Sequence, residues 1–263
     1  MLHSHFAASH PERGVQNFKG VIGTLFEDYV QQALTRAFAP VSDALFVGEK
    51  AITGGKGIKK PDGVLQQGSS LVVFESSATV LSDAVVVASD SVRFNHEIRA
   101  KHRAKAAQLR QAVEALVTGH LVAPGVDMSR VTVVHPVLLL LYPFPQHLFT
   151  VKPLRDVVAE GPIQNTGITL KSLTIMTAEE MEIVEPLVSG GDATLPALLD
   201  RKASHSVDRD TSLKNFLLNS GIAGAAENPN MRQLYDERLK SAELRNTLHE
   251  LFVLDDDPNA DGD

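Results

Sequence analysis

Lys60-Pro61-Asp62-Gly63-Val64-Leu65 and, beyond the punctuation Gln67-Gly68-Ser69, Leu71-Val72-Val73-Phe74-Glu75-Ser76-Ser77 are the two runs that decide the fold of this chain. Both read as short β-strands, and a glycine turn between two such runs favours a hairpin. Asp62 stands at the start of the first run and Glu75 inside the second, so the two carboxylates converge at one edge of the hairpin. A glutamate in an apolar, buried strand is costly unless it is paired, hydrogen-bonded or bound to a cation. Asp62 alone also fits the turn chemistry of Lys-Pro-Asp-Gly. Glu75 alone also fits a strand-end carboxylate paired with a nearby lysine.

Upstream, Phe18, Val21, Ile22, Leu25, Phe26, Tyr29, Val30, Ala33, Leu34 and Phe38 recur at helical spacing, which predicts a helix over 18–38 ended by Pro40. Strands are expected at 44–52, 61–66 and 71–75, and 82–95 reads as either strand or loop. Downstream, a second helix is expected over 96–118, a buried strand over 131–141 closed by Pro143 and Pro145, and another strand over 168–176. That strand leads into a helix whose Thr177 and Glu180 stand at capping-box spacing. From 192 onward the pattern is helical only, with candidates at 195–202, 211–218 and 231–252. Hairpins followed by a strand–helix–strand crossover imply an α/β fold with a mixed sheet and helices on its faces.

Over roughly residues 18–141 the chain resembles the PD-(D/E)XK nucleases, the restriction-endonuclease-like superfamily. The resemblance is carried by the helix Gly23-Thr24-Leu25-Phe26-Glu27-Asp28-Tyr29-Val30, the Pro61-Asp62 pair, Glu75 in the following strand, and an αβββαβ order of elements. It implies a metal site made by Asp62 and Glu75, assisted by Glu27 and holding Mg²⁺, with Mn²⁺ as a substitute. It also implies hydrolysis of DNA phosphodiester bonds. The family's lysine two positions after the glutamate is here Ser77, so the chain is a divergent relative of the pattern. On the second helix Lys101, Lys105 and Gln108 share one stripe, and Lys101 or Lys105 is the expected displaced catalytic cation. Lys59 or Lys60, in a turn, is the lesser substitute. The other implied reading is a catalytically degenerate nuclease fold that serves as a nucleic-acid-binding or protein-assembly module.

Composition sets the outer limits. The chain has 263 residues, 43% hydrophobic and 22% charged, with no cysteine and a net charge of −7. A disulfide framework, an iron–sulfur cluster, a cysteine-ligated zinc and a thiol nucleophile are thereby excluded. At this length roughly 70–75% of the unfolded surface is buried on folding, enough for a full core without staples. Five of the seven excess negative charges are the tail residues Asp255, Asp256, Asp257, Asp261 and Asp263. The remaining, nearly neutral body carries two basic stretches, Lys56, Lys59 and Lys60 in a loop and Arg99 and Arg103 with their neighbours on the second helix. These are the expected contacts to nucleic acid.

The expected organisation is a flexible segment over 1–17, a restriction-endonuclease-like α/β domain over 18–190, a helical extension over 191–254 and an acidic tail over 255–263. The extension offers Leu234, Leu239, Leu244, Leu248 and Leu251 for covering the sheet, for a protein partner or for a homo-oligomer. No apolar run approaches the ~18 residues of a membrane span, and the N-terminus lacks an apolar leader. A soluble, cytoplasmic chain without a membrane partner is expected. Other motifs carry little. Gly54-Gly55-Lys56-Gly57 lacks the spacing of a phosphate loop, His3, His5 and His10 sit together on the terminal segment, Ser204-His205-Ser206 has no nucleophile-elbow context, and His135 reads as a core residue.

Overall fold

A computed structural model describes residues 11–55, 57–79, 96–97, 101–160, 167–205 and 208–222. All of them fall in one unit, Met1–Gly224, and the expected helix over 231–252, the acidic tail and the segment 82–95 lie outside the described residues. The elements run α1 (Pro11–Phe38), β1 (Ala44–Gly48), β2 (Thr53–Gly54), β3 (Gly63–Gln67), β4 (Ser70–Ser77), α2 (Arg103–Val117), β5 (Leu121–Val122), β6 (Val133–Leu140), α3 (Leu148–Ala159), β7 (Thr169–Leu170), β8 (Thr174–Thr177), α4 (Ala178–Ser189), α5 (Leu195–Ser204) and α6 (Leu213–Asn219). The protein is α/β with a mixed sheet: β1, β3 and β4 pair antiparallel, and β4, β6 and the short β7 and β8 pair parallel.

The period of two along β4 separates two cores. Leu71 and Val73 enter one cluster with Leu109, Val113 and Leu116 of α2 and Val151, Leu154 and Val158 of α3. Val72 and Phe74 enter the other with Phe26, Val30, Ala33 and Leu34 of α1 and residues of α4, α5 and α6. Both faces of β4 are covered, which is why its sequence is a continuous apolar run rather than an alternation. The α5 and α6 helices, past residue 191, supply Leu195, Leu198, Leu199, Leu213, Phe216 and Leu217 to that same second cluster.

Three departures from the sequence reading have physical causes. The expected strand over 44–52 ends at Gly48, because Glu49–Ala51 turn into a 3₁₀ helix before β2. The expected strand over 168–176 is split into β7 and β8. Thr132 and Val134 of the β6 segment accept from the β7 side, so Pro136, two residues on, turns its missing N–H toward the same side and interrupts the ladder there. Finally, 148–159 is a helix that the sequence reading lacked altogether.

Candidate functional site

Glu75 follows Leu71 and Val73 at period two, which turns its side chain to the α2 face of the sheet. Asp62 reaches the same place from the other strand. Gly63 pairs with Phe74, and Asp62 N donates to Phe74 O at 2.9 Å, so the next step of the register sets Asp62 opposite Glu75. Opposed residues of an antiparallel pair have Cβ atoms about 4.5–5.5 Å apart. Both carboxylates are buried, Asp62 at 5% exposure and Glu75 at 0%.

The backbone around Asp62 is held from several sides. Its carbonyl accepts from Gln31 Nε2 of α1 and from Glu49 N. Gly63 is required next to it, since a Cβ there would lie 2.7 Å from the Phe46 ring, which packs edge-on against Phe74. Asp62 Oδ2 accepts both donors of Ser76, the backbone N at 2.5 Å and Oγ at 2.6 Å. The carboxylate is thereby fixed through one oxygen.

Glu75 Oε1 accepts from Lys105 Nζ and from Lys59 Nζ, each at 2.8 Å. Lys59 Nζ also donates to Gln108 Oε1 at 3.0 Å. Glu75 Oε2 is buried with no hydrogen-bond partner. Burial, and secondly the charge of Asp62, push the Glu75 carboxyl above the usual carboxylate range, against the opposing pull of Lys105 and Lys59. Burial works to lower the Lys59 ammonium, but its contacts with Glu75 outweigh this and raise it.

Glu27 lies on an exposed face of α1, and partial burial followed by the charge of Asp62 raise its carboxyl above the ordinary range. Lys105 and Lys59 act on it in the opposite direction, so Glu27 shares one electrostatic neighbourhood with the buried pair. Of the two lysines expected from α2, Lys105 bonds Glu75, whereas Lys101 Nζ lies 3.5 Å from Glu97 Oε2. Arg103 is exposed on α2. Lys60 has no salt bridge among the described residues, and Lys56 and Arg99 lie outside them. Ser77, at the family's lysine position, bonds Thr79 Oγ1 at 2.9 Å.

Sequence reasoning missed Gln31 and Ser76, both of which hold Asp62. Gln31 stands one helical turn after Glu27, a spacing from which its place beside that carboxylate was readable. Ser76 gave no such signal, since its role depends on where the neighbouring strand ends.

Two hard carboxylates, one with an unpartnered buried oxygen, match the ligand preference of a divalent cation such as Mg²⁺. Among the described residues no group of three His, Cys, Asp or Glu side chains is placed to hold a metal ion. A cation bound by these two carboxylates would need its remaining ligands from water or substrate, as is common for Mg²⁺. Among the described residues no helix is long and apolar enough to cross a membrane. No protein-family model, curated protein or solved structure matches the chain.

Proposed function

We propose that the protein is a Mg²⁺-dependent nuclease of the restriction-endonuclease-like type, a hydrolase of DNA phosphodiester bonds with its motif lysine displaced. The observation that carries this reading is Lys105 Nζ, 2.8 Å from Glu75 Oε1 on the face that Asp62 shares. With the two-residue strands β2 and β5, which pair with each other, set aside, the order α1, β1, β3, β4, α2, β6 supports the reading of an αβββαβ core.

Asp62 and Glu75 are the residues to hold Mg²⁺, with Glu27 as the accessory carboxylate. When bound, the ion supplies Lewis-acid charge at the phosphoryl oxygens and lowers the pKa of water. The chain's own groups do the positioning. Ser76 fixes Asp62 through Oδ2. Lys105 and Lys59 bring positive charge to the place where the substrate's phosphate gains negative charge, the role Ser77 is unable to fill. Lys105 stands on a helix and Lys59 in a loop, so Lys105 is the better oriented of the two.

A second reading, a degenerate nuclease fold retained as a nucleic-acid-binding or assembly module, is favoured by one observation: Glu75 already has two ammonium groups on Oε1. Calorimetric titration with Mn²⁺ and Mg²⁺, paired with cleavage of supercoiled and single-stranded DNA, separates the two. The nuclease reading expects binding and cleavage that Glu75→Gln and Asp62→Asn both abolish. Failure of the wild-type protein to bind either ion defeats it and leaves the module.

A further inference from the structure

Glu75 meets its two ammonium groups on one oxygen, and the two are held in different ways. Lys105 stands within α2, where the helix fixes its backbone. Lys59 stands on a short strap, residues 57–61, and its side chain is twice as exposed as that of Lys105. Ile58 N bonds Gly55 O and Asp62 N bonds Phe74 O, but between them the backbone of Lys59, Lys60 and Pro61 makes no hydrogen bond among the described residues. Gly57 opens the strap at φ +82°, with nothing within 4 Å of where a Cβ would stand. The polar anchors of Lys59 are therefore those of its side chain, Nζ to Glu75 Oε1 at 2.8 Å and to Gln108 Oε1 at 3.0 Å.

Asp62 and Glu75 bring two negative charges and the two ammonium groups two positive ones, so this cluster is already neutral. A divalent cation seated on both carboxylates would give it a surplus of two positive charges, and release of one ammonium to solvent halves that surplus. Glu27, whose carboxyl feels Asp62, Lys105 and Lys59 alike, offsets the remainder. Even an ion held by Oε2 alone would share one carboxylate with Nζ, and like charges that close repel far more strongly in a partly buried place than in water. Of the two ammonium groups, the one on the strap has the open route to water. Lys105 would have to leave a helix face, whereas Lys59 has only two side-chain bonds to give up.

We infer that Lys59 is an exchangeable cation of the Asp62–Glu75 site: its ammonium holds Glu75 until a divalent ion takes the carboxylates, and it then leaves Glu75 and Gln108 for solvent while Lys105 stays. The ion is the one the nuclease reading requires, so the inference rests on that reading.

Calorimetric titration with Mn²⁺ at constant ionic strength tests the exchange without any substrate. Lys59→Met, which removes the competing charge, should bind Mn²⁺ about tenfold more tightly than wild type. Gln108→Leu keeps both ammonium charges and removes one anchor of Lys59, so it should bind about threefold more tightly. In the wild-type chain, acetic anhydride footprinting read by mass spectrometry compares Lys59 with its neighbour Lys60, and acetylation of Lys59 relative to Lys60 should rise as Mn²⁺ is added. Equal Mn²⁺ affinity in wild type and Lys59→Met, or a Lys59 that stays protected at saturating Mn²⁺, overturns the inference and leaves the nuclease reading intact. So does tighter binding in Lys59→Met with no change in Gln108→Leu, which would mark plain charge repulsion without release. Binding by Lys59→Met but not by the native chain upholds the exchange and defeats the nuclease reading; binding by neither defeats both.

Discussion

Glu75 is a buried carboxylate whose two cations both sit on Oε1, so its protonation depends on which ammonium remains. Lys105 is the more buried partner, with its side chain 22% exposed against 44% for Lys59. Removing Lys105 therefore lifts the Glu75 carboxyl further, because the charge that lowers it acts through less water. For the proposed nuclease, Lys105→Met should slow single-turnover cleavage by about 100-fold and move the acid limb of the pH profile to higher pH. Lys59→Met should do less of both. Equal effects in the two variants would deny Lys105 its special role. A second residue-scale prediction concerns His102, 1% exposed, with neither ring nitrogen hydrogen-bonded. Burial, then Lys101, lower its pKa to about 4 against the pull of Glu97. The unfolded chain then binds a proton that the folded one does not, so stability is full above about pH 6.5 and is lost as pH falls toward 4, by about 3 kcal/mol. Urea unfolding between those limits should show a flatter pH dependence in His102→Phe than in wild type.

At the scale of elements, the junction of β8 and α4 depends on one acid. Glu180 Oε2 accepts from Thr177 N at 2.7 Å, and Oε1 accepts from Lys214 N at the start of α6 at 3.0 Å. In return Glu180 N donates to Thr177 Oγ1 at 3.3 Å. Thr177→Ala should cost about 1 kcal/mol, and Glu180→Ala about 2–3 kcal/mol because two backbone donors lose their acceptor. Denaturant midpoints of the two variants check the ordering. This capping box was legible because its four residues are local in sequence. Asp62, Glu75 and Lys105 were legible for a related reason, since strand and helix periods place them on one face. Lys59 was harder to foresee: its direction is set by a loop that runs to Glu75 and Gln108, contacts distant in sequence. The α3 helix was hidden by Pro143, Pro145 and Pro153, which punctuate like a loop. It forms nonetheless because Val151, Leu154, Val157 and Val158 bury one face at helical spacing.

For the whole molecule, the sheet is the shared wall of two cores that contain no common residue. Folding of the described unit is then cooperative only if damage on one side of β4 is felt on the other. Phe74 tests this, because it is fully buried in the α1-side cluster while Val73 and Glu75 beside it face α2. Phe74→Ala should cost about 3–5 kcal/mol through lost burial and a cavity. Two single-tryptophan reporters follow the two sides, Phe149→Trp on α3 and Leu218→Trp on α6, both at exposed positions. In wild-type background their urea transitions should coincide. Adding Phe74→Ala should move both midpoints down by the same amount. If the α6 reporter alone shifts, β4 does not couple its faces, and the geometry of the Asp62–Glu75 pair depends on the α2-side core by itself.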